Sequence, residues 1–218
     1  VRSSLAAALR GTAVLAIPAS VGMAVLARPI IALTLQTGRF GSQAVAWTAT
    51  TLAFQAVGLL FIAAGRIAAQ CLYAVKDYRT PAYAALLSMA GNVLLSYVLM
   101  KPLGTGGIAL ANGLASLIGL GWLTVRLQER LGRLPYLEVL RGWAAMAAAS
   151  ALMGLAAWRM GTALDTFRFH GIAGTSLRLF PVIGLSALLY LGLTLAMGVP
   201  EARLLAGLAK RKLLRSKA

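Results

Sequence analysis

Six stretches of the chain contain no Asp, Glu, Lys or Arg: Gly11 to Ala27, Phe40 to Gly65, Pro81 to Met100, Pro102 to Val125, Gly142 to Trp158 and Leu179 to Pro200. A helix needs about 20 mostly apolar residues to cross the hydrocarbon core of a bilayer. Lipid offers no partner to an unpaired backbone N–H or C=O, so a spanning segment must satisfy itself as a helix. The runs therefore predict an all-α integral membrane protein, a bundle of six transmembrane helices over about 5–27, 43–74, 80–100, 104–125, 142–164 and 179–200. Only 12% of the residues are charged, about half the share usual in soluble domains.

The first run is not read as a signal peptide, since no charged leader and small-residue cleavage site frame it and five comparable runs follow. The chain starts at Val1 without an initiator methionine, which reads as the C-terminal part of something longer.

A net charge of +16 raises nucleic acid as a partner, but the placement of the cations argues against it. They lie between the runs and in the tail, without the basic, aromatic-interleaved face of a nucleic-acid binder. If the chain weaves six times, fifteen of the 21 Lys and Arg fall on the side that carries both chain ends. The positive-inside rule makes that side cytoplasmic. Residues 201–218 carry six cations among leucines and read as a basic amphipathic tail on the anionic inner leaflet.

The four tryptophans test the assignment, because amphipathic rings prefer the headgroup level. Trp47, Trp122, Trp143 and Trp158 all fall near expected span ends, and Tyr73, Tyr78 and Tyr83 gather around the second connector. Gly, Ala and Ser fill "GGIALANGLASLIGLG", residues 106–121. In lipid such residues let helix backbones approach closely, so packing is the first reading and helix motion the second. Pro18 removes a backbone donor and kinks the first helix.

Ionisable and amide groups at membrane depth are costly and are functional candidates. Arg10 either snorkels to the inner surface or faces a cavity and meets an anion. Arg66 continues a helix expected from Phe40 to Val75, far longer than a bilayer requires, and is expected buried near the inner boundary, lining a cavity, or paired with a neighbouring helix. Asn92 is the clearest uncharged polar group near mid-membrane, expected to bond another helix more often than a ligand. Between two charged stretches, Thr80 is expected to cap a new helix, with Pro81 in its first turn.

Cys71 reads as a small buried hydrophobe and His170 as a solvated loop residue; alone, neither builds a disulfide or a metal site. No phosphate-binding loop, His-Glu-x-x-His motif or paired intramembrane acids are present, and only five acidic residues occur in all. General acid–base chemistry has little to work with. Neither an enzyme nor a cofactor or metal site is expected.

"LYAVKDYRTP", residues 72–81, resembles the aromatic–Tyr–Ala–x–x–Asp–x–x–Thr–Pro signature of the MurJ/MviN family of lipid II flippases, through Tyr73, Ala74, Asp77, Thr80 and Pro81, with Leu72 where Phe is common. "TGRFGSQAVAWTATTL" is similar to the family's Gly–x–Phe element through Gly38 and Phe40, and "GTGGIALANGLAS" to its Gly-rich element through Gly104 and Gly107.

The resemblance implies the C-terminal part of a fourteen-helix fold of the multidrug/oligosaccharidyl-lipid/polysaccharide exporter superfamily. Residues 1–141 would be the last four helices of the second lobe, and 142–200 two extra helices forming a lipid-facing groove. It implies transport in cell-wall synthesis at the bacterial cytoplasmic membrane, with membrane lipids, a lipid-linked pyrophosphate substrate and a first lobe of the same protein as partners. Arg10, Arg66 and Asn92 become candidates for the substrate pathway. The arginine cluster that the family uses for the pyrophosphate has no match here. A polysaccharide or drug exporter of the same superfamily, and a non-transporting membrane scaffold, are the alternatives.

Overall fold

The computed structural model describes residues 2–35, 41–132, 136–165 and 171–198. They form α1 (Arg2–Val25), α2 (Ala27–Leu35), α3 (Ser42–Ala74), α4 (Arg79–Leu103), α5 (Thr105–Leu131), α6 (Tyr136–Asp165) and α7 (Gly171–Ala196). All but α2 contain an apolar stretch long enough to cross a membrane. Gly38, Phe40, His170 and the basic tail lie outside the described residues.

All six spanning helices run past the charge-free segments that announced them, the last three beyond their expected bounds by the most. α5 continues to Leu131, α6 starts at Tyr136 and α7 at Gly171. Charge marks where the hydrocarbon ends, whereas a helix continues until its backbone bonds are interrupted. α3 has 33 residues, about 50 Å at 1.5 Å per residue, against a hydrocarbon core of about 30 Å.

The first span is followed by a second helical piece that was expected to be connector. α1 gives way to α2 at Leu26, although Leu26 N–H still bonds the Gly22 carbonyl at 2.9 Å and Ile30 N–H the Leu26 carbonyl at 3.0 Å. Pro29 supplies the cause: it has no N–H for the carbonyl of Val25, four residues earlier.

In space the helices follow the order α4, α5, α3, α1, α6, α7, each packed on the next, and α2 folds back on α3 and touches α7. The closest seams are made by glycine. α3 crosses α5 backbone to backbone at Gly58 and Gly113, where a Cβ added to Gly113 would stand 2.7 Å from the Gly58 Cα. On the other side of α5, Gly119 rests against Ser88 and the Ala84 carbonyl of α4. The small residues of 106–121 thus serve packing: Gly106, Gly107, Ala109, Ala111, Gly113, Ala115 and Gly119 are all buried.

Larger side chains fill the remaining seams. Leu5, Leu9, Leu72, Leu123, Leu127 and Val139 form one apolar core where α1, α3, α5 and α6 meet. Cys71 packs beside this core and is half-buried, not fully buried as expected, because it lies on the flank of α3. A second core joins Ala13, Val14, Ile17, Met146, Met153 and Tyr190 of α1, α6 and α7. Trp47 and Trp158 are exposed near the ends of α3 and α6, and Arg126 lies over the Trp122 ring at 4.5 Å from its centre.

Candidate functional site

The α3–α4 turn is built around Asp77. Asp77 N–H bonds the Leu72 carbonyl at 3.0 Å and Lys76 N–H the Tyr73 carbonyl at 2.9 Å, the paired bonds of a Schellman ending. Lys76 takes the left-handed position, φ 59°, that glycine usually occupies. Asp77 then turns its carboxylate to the next helix. Oδ1 accepts the Thr80 N–H at 3.1 Å and Oδ2 the Thr80 hydroxyl at 2.8 Å.

The capping expectation is corrected here: Thr80 lies inside the first turn of α4 and donates, while Asp77 supplies the accepting oxygens. The aspartate has two acceptor oxygens and gives one to each Thr80 donor. Pro81 is in that first turn as expected. The Thr80 backbone and hydroxyl bonds, helped by the Arg130 guanidinium, hold the Asp77 carboxyl below its ordinary value. Tyr73 stacks on Tyr78 with ring centres 5.9 Å apart. At the opposite end of α4, Gly104 has φ 56° and makes the reversal into α5, and Gly107 is buried one turn later.

Asn92 of α4 bonds another helix, as expected. Its Nδ2 donates to Asn112 Oδ1 of α5 at 3.3 Å, and its own Oδ1 accepts the Ser96 hydroxyl at 2.9 Å. It also lines an open cavity of about 540 Å³ with Met89, Val93, Ser96, Tyr97, Met100 and Ile108. Asn112 was overlooked because it sits among the small residues of 106–121; two mid-span amides on consecutive helices were the signal that pairs them.

Arg10 and Arg66 have different surroundings. Arg10 lies against Gly142 and stands 3.7 Å from Glu138 of α6. Arg66 is exposed on α3, so of its three expected settings the buried one is not met. It follows Leu59 by seven residues and so shares the helix face that lines an apolar groove of about 570 Å³ with Gly11, Thr12 and Leu15 of α1. Arg10, Arg66 and Asn92 lie on α1, α3 and α4 respectively; the carboxylate beside Arg10 comes from α6 and the amide partner of Asn92 from α5.

A further cleft of about 460 Å³ separates α1 from α6 and α7. Val14, Leu15, Met23, Leu26, Met153 and Ile183 make it apolar, and Pro18, Ser186 and Tyr190 also face it. The Ser186 hydroxyl is buried without a hydrogen-bond partner among the described residues. Tyr190 donates its hydroxyl to the Val14 carbonyl at 3.0 Å. Such a surface suits a hydrocarbon chain and offers few polar contacts.

Comparison with known proteins adds a family. Residues 1–181 match the family described as lipid II flippase MurJ. The chain is 38% identical over 104 residues to a probable lipid II flippase MurJ of Bdellovibrio bacteriovorus, covering 48% of this chain and 20% of that protein. It is 28% identical over 194 residues to a probable lipid II flippase MurJ of Vibrio cholerae, covering 88% of this chain and 36% of the relative. A solved lipid II flippase MurJ in an inward closed conformation superposes with a TM-score of 0.71 at 23% identity, over 88% of this chain and 38% of that one. The chain thus spans well under half the length of each of these proteins, and the structural likeness is one of fold.

Proposed function

The chain belongs to the lipid II flippase MurJ family, and from that membership we propose that it is part of a flippase carrying a lipid-linked peptidoglycan precursor to the outer leaflet by alternating access. The observation that carries the reading is the family match over residues 1–181. The apolar cleft between α1 and the last helix pair supports it, because a lipid-linked substrate has a long hydrocarbon tail to accommodate. The family is one of transporters, and six apolar helices suit a multi-pass protein of the bacterial inner membrane.

In this proposal α1 to α5 complete the second lobe, and α6 and α7 are the extra pair beside it. The first lobe of the same protein is the partner that closes the transport cavity. The excess of cations on the side of Arg2, Lys76, Arg130 and the tail supports a cytoplasmic location for both ends of the chain. Arg10, Arg66 and Asn92 are the pathway residues proposed. A guanidinium such as that of Arg10 matches a pyrophosphate because it can donate paired charge-assisted bonds to it.

The test is complementation of a strain depleted of its own lipid II flippase by the full-length gene that contains this chain. Growth and lipid II translocation are expected with the unaltered gene. Arg10→Ala is expected to lower translocation at equal membrane abundance, and unchanged translocation removes Arg10 from the pathway. Failure of the unaltered, normally inserted protein to support growth moves the cargo to another lipid-linked saccharide.

A further inference from the structure

Pro18 and Tyr190 stand in a relationship that the transport reading does not use. An α-helical carbonyl is bonded by the N–H four residues later, so the donor missing at Pro18 is the one due to Val14. Val14 is 1% exposed, and a buried carbonyl without a donor is costly. The Tyr190 hydroxyl of α7 donates to this same carbonyl at 3.0 Å. Val14, Pro18 and Tyr190 all face the cleft between α1 and α7.

We propose that Pro18 and Tyr190 form one conformational device, in which α7 sets the bend of α1 by supplying the hydrogen bond that the proline removes. With the staple made, the two halves of α1 are tied through α7 as well as through their own backbone. When α7 moves off α1 the bond breaks, and α1 gains freedom at Pro18 on the side that faces the cleft. The bend of α1 and the seating of α7 are therefore coupled, and each biases the other.

An ordinary packing role for Tyr190 makes a different forecast, because packing does not depend on which residue stands at position 18. An alanine there restores the N–H to the Val14 carbonyl and leaves the tyrosine hydroxyl redundant. The experiment is a double-mutant cycle on the full chain in lipid nanodiscs, with Cys71→Ser throughout and spin labels at the exposed positions Ser4 and Arg28, on either side of Pro18. Pulsed electron paramagnetic resonance reads the label separation.

Tyr190→Phe is expected to broaden the distance distribution in the Pro18 chain and to leave it unchanged in the Pro18→Ala chain. Equal broadening in both chains, or none in either, overturns the proposal. If Tyr190→Phe alone does not fold, recovery of the fold by Pro18→Ala supports the staple, and failure of the double variant as well assigns Tyr190 to packing and overturns it.

Discussion

The carboxylate of Asp77 lies 3.1 Å from the guanidinium of Arg130, joining the α3–α4 turn to the end of α5. The two partners are unequal, since the Asp77 side chain is 6% exposed and that of Arg130 is 60% exposed. Solvent screens an exposed cation, so the pair itself adds little; the aspartate matters more through its two bonds from Thr80. Asp77→Ala is expected to lower the unfolding temperature in detergent most, Asp77→Asn less because an amide oxygen still accepts one Thr80 donor, and Arg130→Ala least. Thermal unfolding of the three variants checks the order.

The same carboxylate makes stability depend on acid. Folding depresses its pKa, so its contribution is fully present above the unfolded value of about 3.9 and is lost as the pH falls through the lower folded value. Between neutral pH and about pH 5 the unfolding temperature should not change on this account. Below that, the difference between the unaltered chain and Asp77→Asn should shrink, and a difference constant down to the acid limit would refute the assignment.

Lys76 holds the left-handed position at the end of α3, where a side chain costs about 1 kcal/mol relative to glycine. Lys76→Gly is therefore expected to stabilise by roughly 0.5–1 kcal/mol, less whatever the glycine adds to unfolded-state entropy. Reversible unfolding in mixed micelles measures it. A destabilised variant would show that the lysine side chain contributes more than its backbone costs.

The Gly58–Gly113 crossing separates close contact from mere glycine content. Gly58→Ala drives a methyl group into the Gly113 backbone and is expected to cost about 1–3 kcal/mol. Gly121→Ala meets nothing within 4 Å and should stabilise by up to about 1 kcal/mol through helix propensity. Opposite signs in a stability assay are the expected result.

Asn92→Leu removes the bond to Asn112 and the acceptor for Ser96. Interhelical hydrogen bonds in membranes contribute about 0.6 kcal/mol on average. The loss should therefore be well under 2 kcal/mol, measured by steric trapping or denaturant unfolding. A larger loss would give the amide pair a weight in the fold beyond its hydrogen bonds.

Much of this architecture was legible in the residues. The spans could be located because charge and apolar length respond to the bilayer directly, and Asn92 could be given a helix partner because a mid-membrane amide needs one. The Asp77 cap was misassigned to Thr80, since a threonine before a proline is the common signal and the reach of an aspartate into the next turn depends on how α3 ends. α2 was missed because the apolar run was ended at the charge of Arg28, whereas the helix is only offset there and continues to Leu35. Tyr190 was missed for a different reason. Pro18 has no N–H for the Val14 carbonyl, but which helix answers it depends on a tertiary neighbour 176 positions away in sequence.

Where Gly58 meets Gly113, no side chain lies between the two backbones to absorb a displacement. α3 and α5 thereby meet backbone on backbone, while the seam between α1 and α7 holds a void of about 460 Å³ and one long phenolic arm. A displacement is therefore expected to open the seam of the last helix before it parts the glycine crossing of α3 and α5.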